Sequence, residues 1–397
     1  MTSLMATYGR LPMTVARGEG ALIWDTEGKQ YIDALTGIAV CALGHANPAI
    51  AEAINAQARS LVHVSNFYEI PQQQDLGNKL CEIANMDKVF FCNSGAEANE
   101  AMLKIARLHG HHRGIEMPTI LVTDTAFHGR TLATLSATGN AKIQAGFAPI
   151  TPGFKIIPYN DVPALSQILS EDASIVAVML EPIQGEGGIQ VPDAEYLNKV
   201  RALCDAHQCL LMLDEIQTGI GRTGAWFAHQ HNGILPDVMS LAKSLGNGVP
   251  IGACLARGHA AQLMQPGSHG STFGGNPLSC QVATTVLDEI QRLDLIHRVN
   301  ELSERFMQSF HSAFHNQPGV VEIRGRGLMI GIELETDCIE LMARGLEQGI
   351  LLNVTAGNVV RLLPPYILSD QQADEIASKV INLVNQFLSE KHSQENA

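Results

Sequence analysis

The sequence has little charge and lacks the signals that mark several large classes of protein. Charged residues make up 17% of its 397 residues, whereas about 25% is usual in soluble proteins. The net charge is −14 and there is no Lys/Arg-rich run, so we expect no nucleic-acid partner. No apolar run reaches about 18 residues and the N-terminus does not resemble a secretory signal, so we expect no membrane partner and a cytoplasmic location.

The eight cysteines also lack the spacings that bind metals or form redox pairs. None stands in a C-x-x-C pattern, and no combination of Cys and His has zinc-site spacing. We therefore expect reduced thiols that mostly pack in the interior. His109, His111 and His112 form another possible metal cluster. They end a predicted helix, where a His side chain interacts favourably with the helix dipole, so no metal site is predicted.

What the sequence does contain, from about residue 86 onward, is an alternation of short apolar runs with segments of helical periodicity. A helix is predicted over 96–108, and strands are predicted at 88–91, 120–122, 175–180, 210–213 and 238–241. Continuous apolar strands separated by helices are typical of α/β proteins with a mostly parallel sheet covered on both faces. Ligands bind beyond the carboxyl ends of such strands, so polar residues directly after each apolar run are the candidates for a site.

The C-terminal part has a different pattern. Long helices are predicted over 277–314 and 369–388, short strands at 321–323, 328–335, 349–354 and 359–363, and a polar tail over 389–397. This mixture predicts a smaller α+β domain. We divide the chain into an N-terminal segment, 1–50, that joins the small domain, a large domain, 51–285, and the small domain itself, 286–397.

The first candidate for a site is the start of the helix that follows strand 88–91. Ser94 and Glu97 have the spacing of a capping box, and Gly95 lets the backbone approach a ligand closely. The free N–H groups at a helix start bind anions. The segment therefore predicts either a phosphate site or an ordinary capped helix.

Two charged residues follow later apolar runs. Asp214 comes directly after 210–213, where a buried carboxylate is costly unless a cation or several donors meet it. It is either a satisfied structural residue or the partner of a cationic cofactor nitrogen. Lys243 follows 238–241 and precedes a glycine-rich stretch. A partly desolvated lysine has a lowered pKa and can form a Schiff base, whereas a surface lysine extends into solvent.

Two glycine-containing motifs also have a functional and a structural interpretation. Phe127-His128-Gly129-Arg130 offers either a stacking face beside a carboxylate-binding arginine, or a core phenylalanine and a surface arginine. The run 219–224, GIGRTG, matches the G-x-G-x-x-G pattern of dinucleotide sites. Such a fingerprint should open a helix at once, and the following Ala-Trp-Phe does not resemble a helix start, so NAD binding is not favoured.

The order of these signals along the chain resembles that of fold-type I pyridoxal-phosphate enzymes, and among them the class III aminotransferases. The matching stretches span residues 91–331, with RLLPP at 361–365 in addition; they are FCNSGAEANEAMLKIAR, FHGRT, EPIQGEGG, LDEIQTGIGRTG, AKSLGNGVPIGA, HGSTFGGNPL and RGRGLMIG. The resemblance implies a large domain that binds pyridoxal 5'-phosphate on a mostly parallel seven-stranded sheet, a smaller α+β domain, and a homodimer with shared active sites.

The resemblance also implies roles for individual residues. Lys243 would hold the cofactor as a Schiff base and move the substrate proton, and Asp214 would keep the pyridine nitrogen protonated. The implied cofactor-binding residues are Ser94, Gly95, Ala96, Phe127, Asp214, Glu215, Ile216, Gln217, Lys243 and, from the neighbouring subunit, Thr272. The implied substrate-binding residues are Arg130, Glu186, Arg361 and the neighbour's Ser271.

The family pattern implies how one pocket could accept two amine donors. Arg361 would bind the carboxylate beside the reacting carbon of glutamate, and Glu186 would neutralise Arg361 when the other donor has no carboxylate there. Segment 36–45 offers small and apolar side chains where ornithine aminotransferases carry a tyrosine, which favours an amide-capped donor such as N2-acetylornithine. Succinylornithine, ornithine, 4-aminobutyrate and succinyldiaminopimelate remain alternatives, as do a cofactor-binding regulator and a nicotinamide dehydrogenase.

Overall fold

The computed structural model of the protein describes residues 3–395. Its strands are β1 (Val15–Glu19), β2 (Leu22–Asp25), β3 (Gln30–Asp33), β4 (Lys88–Cys92), β5 (Thr119–Thr123), β6 (Phe154–Ile157), β7 (Ile175–Leu180), β8 (Leu210–Asp214), β9 (Val238–Leu241), β10 (Gly252–Ala256), β11 (Val320–Arg326), β12 (Met329–Leu334), β13 (Ile350–Leu351), β14 (Asn353–Thr355) and β15 (Val359–Leu362).

The helices alternate with these strands. They are α1 (Thr36–Ala39, a single turn), α2 (Pro48–Ser60), α3 (Pro71–Ala84), α4 (Gly95–His112), α5 (Leu132–Ala137), α6 (Ala141–Gln144), α7 (Val162–Glu171), α8 (Tyr196–His207), α9 (Pro277–Arg292), α10 (Leu295–Ala313), α11 (Leu341–Glu347) and α12 (Asp370–Glu395). Short 3-10 turns occur at Ala228–Asn232, Lys243–Leu245 and Ala260–Gln262.

The central element is a seven-stranded sheet with the order β4-β10-β9-β8-β7-β5-β6. All its strands run parallel except β10, which is antiparallel to both neighbours. Strands β5, β7, β8, β9 and β10 are buried at every position, which explains their continuous apolar sequences. Alternate side chains pack against α4 on one face and against α7 and α8 on the other. The predicted seven-stranded, mostly parallel α/β fold is therefore confirmed.

The sequence pattern missed some elements and misplaced others. Strand β6 lies at the sheet edge with two exposed positions, and β10 is rich in small residues, so neither has a strong apolar signal. The predicted helix 96–108 continues to His112. The last predicted helix, 369–388, continues to Glu395, so residues 389–395 of the predicted polar tail are helical, since Glu, Lys and Gln are good helix formers.

Both ends of the chain contribute to one smaller sheet. Its order is β1-β2-β3-β13, and β13 pairs in parallel with β3. A second four-stranded sheet, with the order β11-β12-β15-β14, is antiparallel. The pairing of β3 with β13 supports the predicted union of segment 1–50 with the small domain, whose boundaries stay a prediction.

The parallel strands bring their carboxyl ends to one edge of the large sheet. Ser94, Phe127, Glu181 and Lys243 follow β4, β5, β7 and β9 there, and Asp214 is the last residue of β8. The antiparallel β10 begins at this edge, so the segment before it faces the same place. A search of helices within residues 3–395 finds none long and apolar enough to cross a membrane.

Candidate active site

A cavity of about 410 Å³ opens at this edge of the sheet. Most of the predicted site residues line it: Ser94, Gly95, Ala96, Phe127, Arg130, Glu186, Asp214, Ile216, Gln217 and Lys243. Val40, Asn93, Gly129 and the segment 248–251 complete much of the wall. Residues separated by up to about 210 positions in sequence are thus brought together, most of them because their strands end side by side.

The start of α4 forms one part of the wall. Ser94 is the N-cap residue, and its Oγ accepts the N–H of Glu97 at 3.2 Å. A Cβ atom at Gly95 would lie 2.6 Å from the Ile216 side chain, so only glycine lets the helix start this close to the loop after β8. The first-turn N–H groups of an 18-residue helix make this part of the cavity suited to an anion.

Asp214 is a buried carboxylate held by three donors. Its Oδ2 accepts from Nδ2 of Asn99 and from Nδ1 of His128, both at 2.8 Å, and its Oδ1 accepts from the N–H of Ile216 at 3.1 Å. Because a carboxylate only accepts, His128 must carry its proton on Nδ1. Sequence reasoning assigned no role to Asn99, which lies inside a helix, or to His128, although His128 stands in the Phe127-His128-Gly129-Arg130 motif.

Lys243 lies at the start of a 3-10 turn with φ of +46°, a left-handed conformation that is uncommon for lysine. Burial lowers the pKa of Lys243, and the charge of Arg361 adds to this effect while that of Glu186 opposes it. The next residue, Ser244, donates its hydroxyl to the carbonyl of Ala39 at 2.8 Å. This hydrogen bond connects the 3-10 turn Lys243–Leu245, called the lysine turn below, to the segment that carries Val40.

Glu186 and Arg361 form an ion pair beside the cavity. Nη1 of Arg361 donates to Oε1 of Glu186 at 2.6 Å, and its Nε donates to Oδ1 of Asn353 at 3.0 Å. Arg361 is fully buried, whereas the Glu186 side chain is 34% exposed. Burial by itself raises the pKa of Glu186, but the charge and hydrogen bond of Arg361, together with Lys243 and Gln217, outweigh it, so this pKa lies below its ordinary value.

Three predicted site residues lie elsewhere in this chain. The carboxylate of Glu215 points away from the cavity, because it accepts from Thr218 Oγ1 at 2.6 Å and from the N–H groups of Ala228 and His229 at 2.8 and 2.9 Å. Glu215 does not line the cavity, and its predicted role in cofactor binding stays a prediction. Ser271 and Thr272 line a separate surface cavity of about 860 Å³, although Ser271 Oγ accepts from Asn93 at 3.2 Å.

The possible metal cluster is not assembled either. In the part of the chain that the structure describes, no group of three or more His, Cys, Asp and Glu side chains could hold a metal ion. His109 is mostly buried, and its Nε2 meets the carbonyl of Gln208 at 3.0 Å. Burial lowers the pKa of His109, so it is a neutral packing residue.

The chain matches the family model for aminotransferase class-III over residues 4–384. It is 49% identical to the acetylornithine aminotransferase of Nitrosomonas europaea, over 98% of this chain and 99% of that protein. Among solved structures, it is similar to an ornithine aminotransferase of Toxoplasma gondii with partial occupancy of PLP at the active site (TM-score 0.94, 34% identity, 99% of this chain and 94% of that one). The acetylornithine aminotransferase of Elizabethkingia anophelis is also similar (TM-score 0.86, 34% identity, 96% of each chain).

Proposed function

The chain belongs to the class III aminotransferases, and on that premise we propose that it transfers the terminal amino group of N2-acetyl-L-ornithine to 2-oxoglutarate. The products are N-acetylglutamate 5-semialdehyde and glutamate, a step of arginine biosynthesis. The observation that carries this substrate assignment is the Arg361–Glu186 pair, joined at 2.6 Å, in which Glu186 lines the same cavity as Lys243.

Class III aminotransferases use pyridoxal 5'-phosphate, and the residues around the cavity fit this group. Oε1 of Gln217 is buried and has no hydrogen-bond partner within residues 3–395, which leaves an acceptor for a polar group of a bound molecule. The N–H groups of Gly95 and Ala96 would hold the phosphate, Phe127 would cover the ring, and Asp214 would hold the ring nitrogen. When bound, the cofactor supplies a carbonyl that accepts the amino group and a ring that delocalises negative charge from the substrate carbon.

Lys243 moves the proton in this proposal. Its lowered pKa increases the uncharged fraction of its amine, which can then take a proton from the carbon that bears the amino group. Asp214 lines the cavity, and Asn99 and His128 both donate to it and hold it in place. The tie from Ser244 to Ala39 holds the lysine turn in its left-handed conformation.

Three charged residues select the substrates. Arg130, which is exposed at the cavity, binds the carboxylate far from the reacting carbon in both amine donors. Arg361 binds the carboxylate next to the reacting carbon of glutamate. The acylated diamine has no carboxylate there, and an unpaired buried arginine would cost about 3–5 kcal/mol. Glu186 then remains paired with Arg361 and removes this cost.

The wall near Val40 supports an amide-capped donor. Segment 36–45 contributes Val40 to the cavity and offers small and apolar side chains, with nothing that would recognise a free α-amino group. Succinylornithine fits the same argument and is the second candidate, which would place the enzyme in arginine breakdown. Ornithine, 4-aminobutyrate and succinyldiaminopimelate are weaker candidates.

We also propose that the enzyme is a homodimer in which Ser271 and Thr272 complete the neighbour's cavity. The surface around them is apolar, since Phe67 is 93% exposed, Tyr68 68% and Phe273 61%. Exposed aromatic residues clustered in this way are typical of a protein interface. A cytoplasmic location is part of the proposal, because all eight cysteines are free thiols. Sedimentation of the purified protein tests the dimer, and a monomer would contradict it.

A panel of amines tests the substrate. The purified enzyme with 2-oxoglutarate should show its highest kcat/KM with N2-acetylornithine, followed by N2-succinylornithine. A higher kcat/KM for ornithine or 4-aminobutyrate would refute the proposed donor while leaving the family unaffected. Lys243→Ala should retain some cofactor, seen in the visible absorbance, and lose turnover by at least about 10²-fold. Unimpaired turnover in this variant would refute the role of Lys243.

A further inference from the structure

Glu181 is a buried carboxyl group in the cavity to which the mechanism above assigns no role. It is the first residue after β7, is 5% exposed, and lines the same cavity as Asp214 and Lys243. A carboxyl group that is removed from water needs hydrogen-bond donors for its oxygen atoms. The donors that Glu181 uses come from two separate loops.

Each side-chain oxygen of Glu181 accepts one backbone N–H group. Oε1 accepts from Phe127 at 2.9 Å, and Oε2 accepts from Gly185 at 3.0 Å. Phe127 belongs to the loop after β5 that also carries Arg130, and Gly185 directly precedes Glu186. One carboxylate therefore connects the loop that presents the aromatic ring to the loop that presents Glu186, which we call the Glu186 loop (residues 184–190).

The other anchors of the Glu186 loop come from the large sheet and from the small domain. The side chain of Gln184 donates to the carbonyl of Asp124 and accepts from the hydroxyl of Thr125, both at 2.7 Å. Thr355 donates its hydroxyl to the carbonyl of Glu186 at 2.6 Å. Arg324 donates to the carbonyls of Gly188 and Ile189 at 2.7 and 2.9 Å. Neither residue contacts the Phe127 loop by a hydrogen bond among those of residues 3–395. Gln184 thus holds the start of the Glu186 loop to the end of β5, and Glu181 connects Gly185, next to Glu186, to the backbone of Phe127.

The charges around Glu181 make its protonation state matter near neutral pH. Burial is the main cause that raises the pKa of Glu181 to about 7, and the charge of Asp214 adds to it, while His128 and the two N–H donors oppose it. The charge of Glu181 in turn raises the pKa of Lys243 slightly against the effect of burial. A protonated carboxyl group has one hydroxyl oxygen, which accepts poorly, so only the ionised form makes both hydrogen bonds well.

We propose that Glu181 is a positioning residue that holds the Phe127 ring and Glu186 at a fixed separation by accepting one N–H group from each loop, and that it thereby keeps the Glu186–Arg361 pair closed. This inference rests on the proposed function, because the pair must stay closed only while the acylated diamine reacts. Glutamate opens the pair with its own carboxylate, so its half-reaction depends less on where the closed loop lies. Glu181 acts through Phe127 and Glu186 rather than on the substrate.

The test compares two half-reactions of the holoenzyme in single-turnover experiments, followed by the change in cofactor absorbance. In Glu181→Gln the amide oxygen can accept only one of the two N–H groups, and the amide NH₂ faces the other. We expect the rate with N2-acetylornithine to fall about tenfold and the rate with glutamate to fall less than about threefold. The wild-type rate with N2-acetylornithine should also rise with pH through about 7, and Glu181→Gln should lack this step.

Two matched variants separate the positioning role from a general loosening of the loop. Thr355→Val removes another hydrogen bond of the Glu186 loop without removing a titrating group, so it should slow the diamine half-reaction and retain the pH step. Glu171→Gln changes an exposed carboxylate on α7 that bonds only to Gln167 among the residues described, so it should change neither rate. Equal losses in both half-reactions of Glu181→Gln, or a pH step that survives in it, would overturn the proposal.

A second variant keeps the proposal testable if Glu181→Gln does not fold. Glu181→Asp retains the charge but is one methylene shorter, so it reaches only one loop; it should slow the diamine half-reaction and keep a pH step. Equal slowing of both half-reactions in this variant would overturn the proposal. If the wild-type enzyme reacts with glutamate but not with N2-acetylornithine, the proposed substrate is wrong. The Glu181 variants are then measured with the terminal amine that does react.

Discussion

Arg361 and Arg222 are both fully buried, but they are held in opposite ways. Arg361 pairs with the carboxylate of Glu186, which lies on a loop beside the cavity and is 34% exposed. Arg222 donates to two backbone carbonyls, those of Leu328 at 3.2 Å and Pro364 at 2.6 Å. Its guanidinium lies 4.6 Å from the centroid of the Tyr366 ring.

The partner of each arginine decides what the arginine can do. A carboxylate side chain can rotate away and leave the cation to a ligand, whereas backbone carbonyls in packed structure cannot. Arg222 joins the loop after β8 to two segments of the C-terminal part, and burial is the main cause that lowers its pKa, while Tyr366 opposes it. The difference supports the proposal that Arg361 binds substrate, whereas Arg222 connects two segments of the chain through fixed backbone contacts.

The same comparison explains the G-x-G-x-x-G pattern at 219–224. Arg222 is the fourth residue of that run, and Gly221 and Gly224 have φ values of +90° and +84°. A Cβ atom at Gly221 would lie 3.2 Å from the ring of Tyr366. The glycines let the backbone turn tightly around a buried arginine, and the following residues form bends and a 3-10 turn rather than an α-helix.

The largest effect is expected on stability, when Arg222, which is held by backbone carbonyls, is removed. Arg222→Ala should lower the free energy of unfolding by about 3–5 kcal/mol, because it leaves a space and two buried carbonyl groups without donors. Urea unfolding measures this, and Arg292→Ala is the matched control, since Arg292 is exposed and should cost below about 0.5 kcal/mol. If Arg222→Ala is as stable as the wild type, the structural role of Arg222 is contradicted.

Removing Arg361 should change the rate of the reaction rather than the stability of the fold. Arg361→Ala should lower kcat/KM for glutamate by about 10²-fold or more, since a buried charge-assisted contact to a carboxylate is lost. Its effect on N2-acetylornithine should be much smaller, because Arg361 has no carboxylate to bind in that substrate. Steady-state kinetics with each donor measure the ratio. A loss of the same size for both donors would show that Arg361 is structural, like Arg222.

Removing Glu186, the partner of Arg361 that can rotate away, should affect the two amine donors in the opposite order. Glu186→Ala leaves Arg361 without its counter-charge, so the reaction with N2-acetylornithine should fall about tenfold, while that with glutamate should change by less than about threefold. Single-turnover rates with both donors measure this difference. The switch is rejected if the two rates fall equally.

The smallest effect is expected on stability, at the ion pair between His45 and Asp33. Nε2 of His45 lies 2.7 Å from Oδ2 of the buried Asp33, and this contact is the main cause that raises the pKa of His45 to about 10. A raised pKa means that the stabilisation is complete below about pH 6.5 and is lost as the pH rises toward 10. His45→Gln should remove this dependence, at a cost of about 1 kcal/mol at pH 6. Thermal unfolding from pH 6 to 10 measures it, and an unchanged slope contradicts the assignment.

Sequence reasoning predicted the strands of the large sheet well where they are buried on both faces, as in β7 and β9, whose bounds agree with the prediction. It failed where burial is one-sided or the residues are small, as in β6 and β10. For the cavity, it predicted residues that directly follow an apolar strand, such as Asp214 and Lys243. It assigned no role to Asn99, because a residue inside a helix is marked by neither a strand end nor a turn.

The amino-acid sequence by itself determined the class of sheet and the candidate charges at its carboxyl edge, because a parallel sheet requires continuous apolar strands and buried charges at their ends need a reason. Only the tertiary structure decided which charges meet. Glu181, Glu186 and Arg361 come from different strands and loops, and whether an arginine faces a rotating carboxylate or fixed carbonyls depends on contacts between segments far apart in the chain. Such contacts depend on the packing of the two domains, which no local pattern encodes.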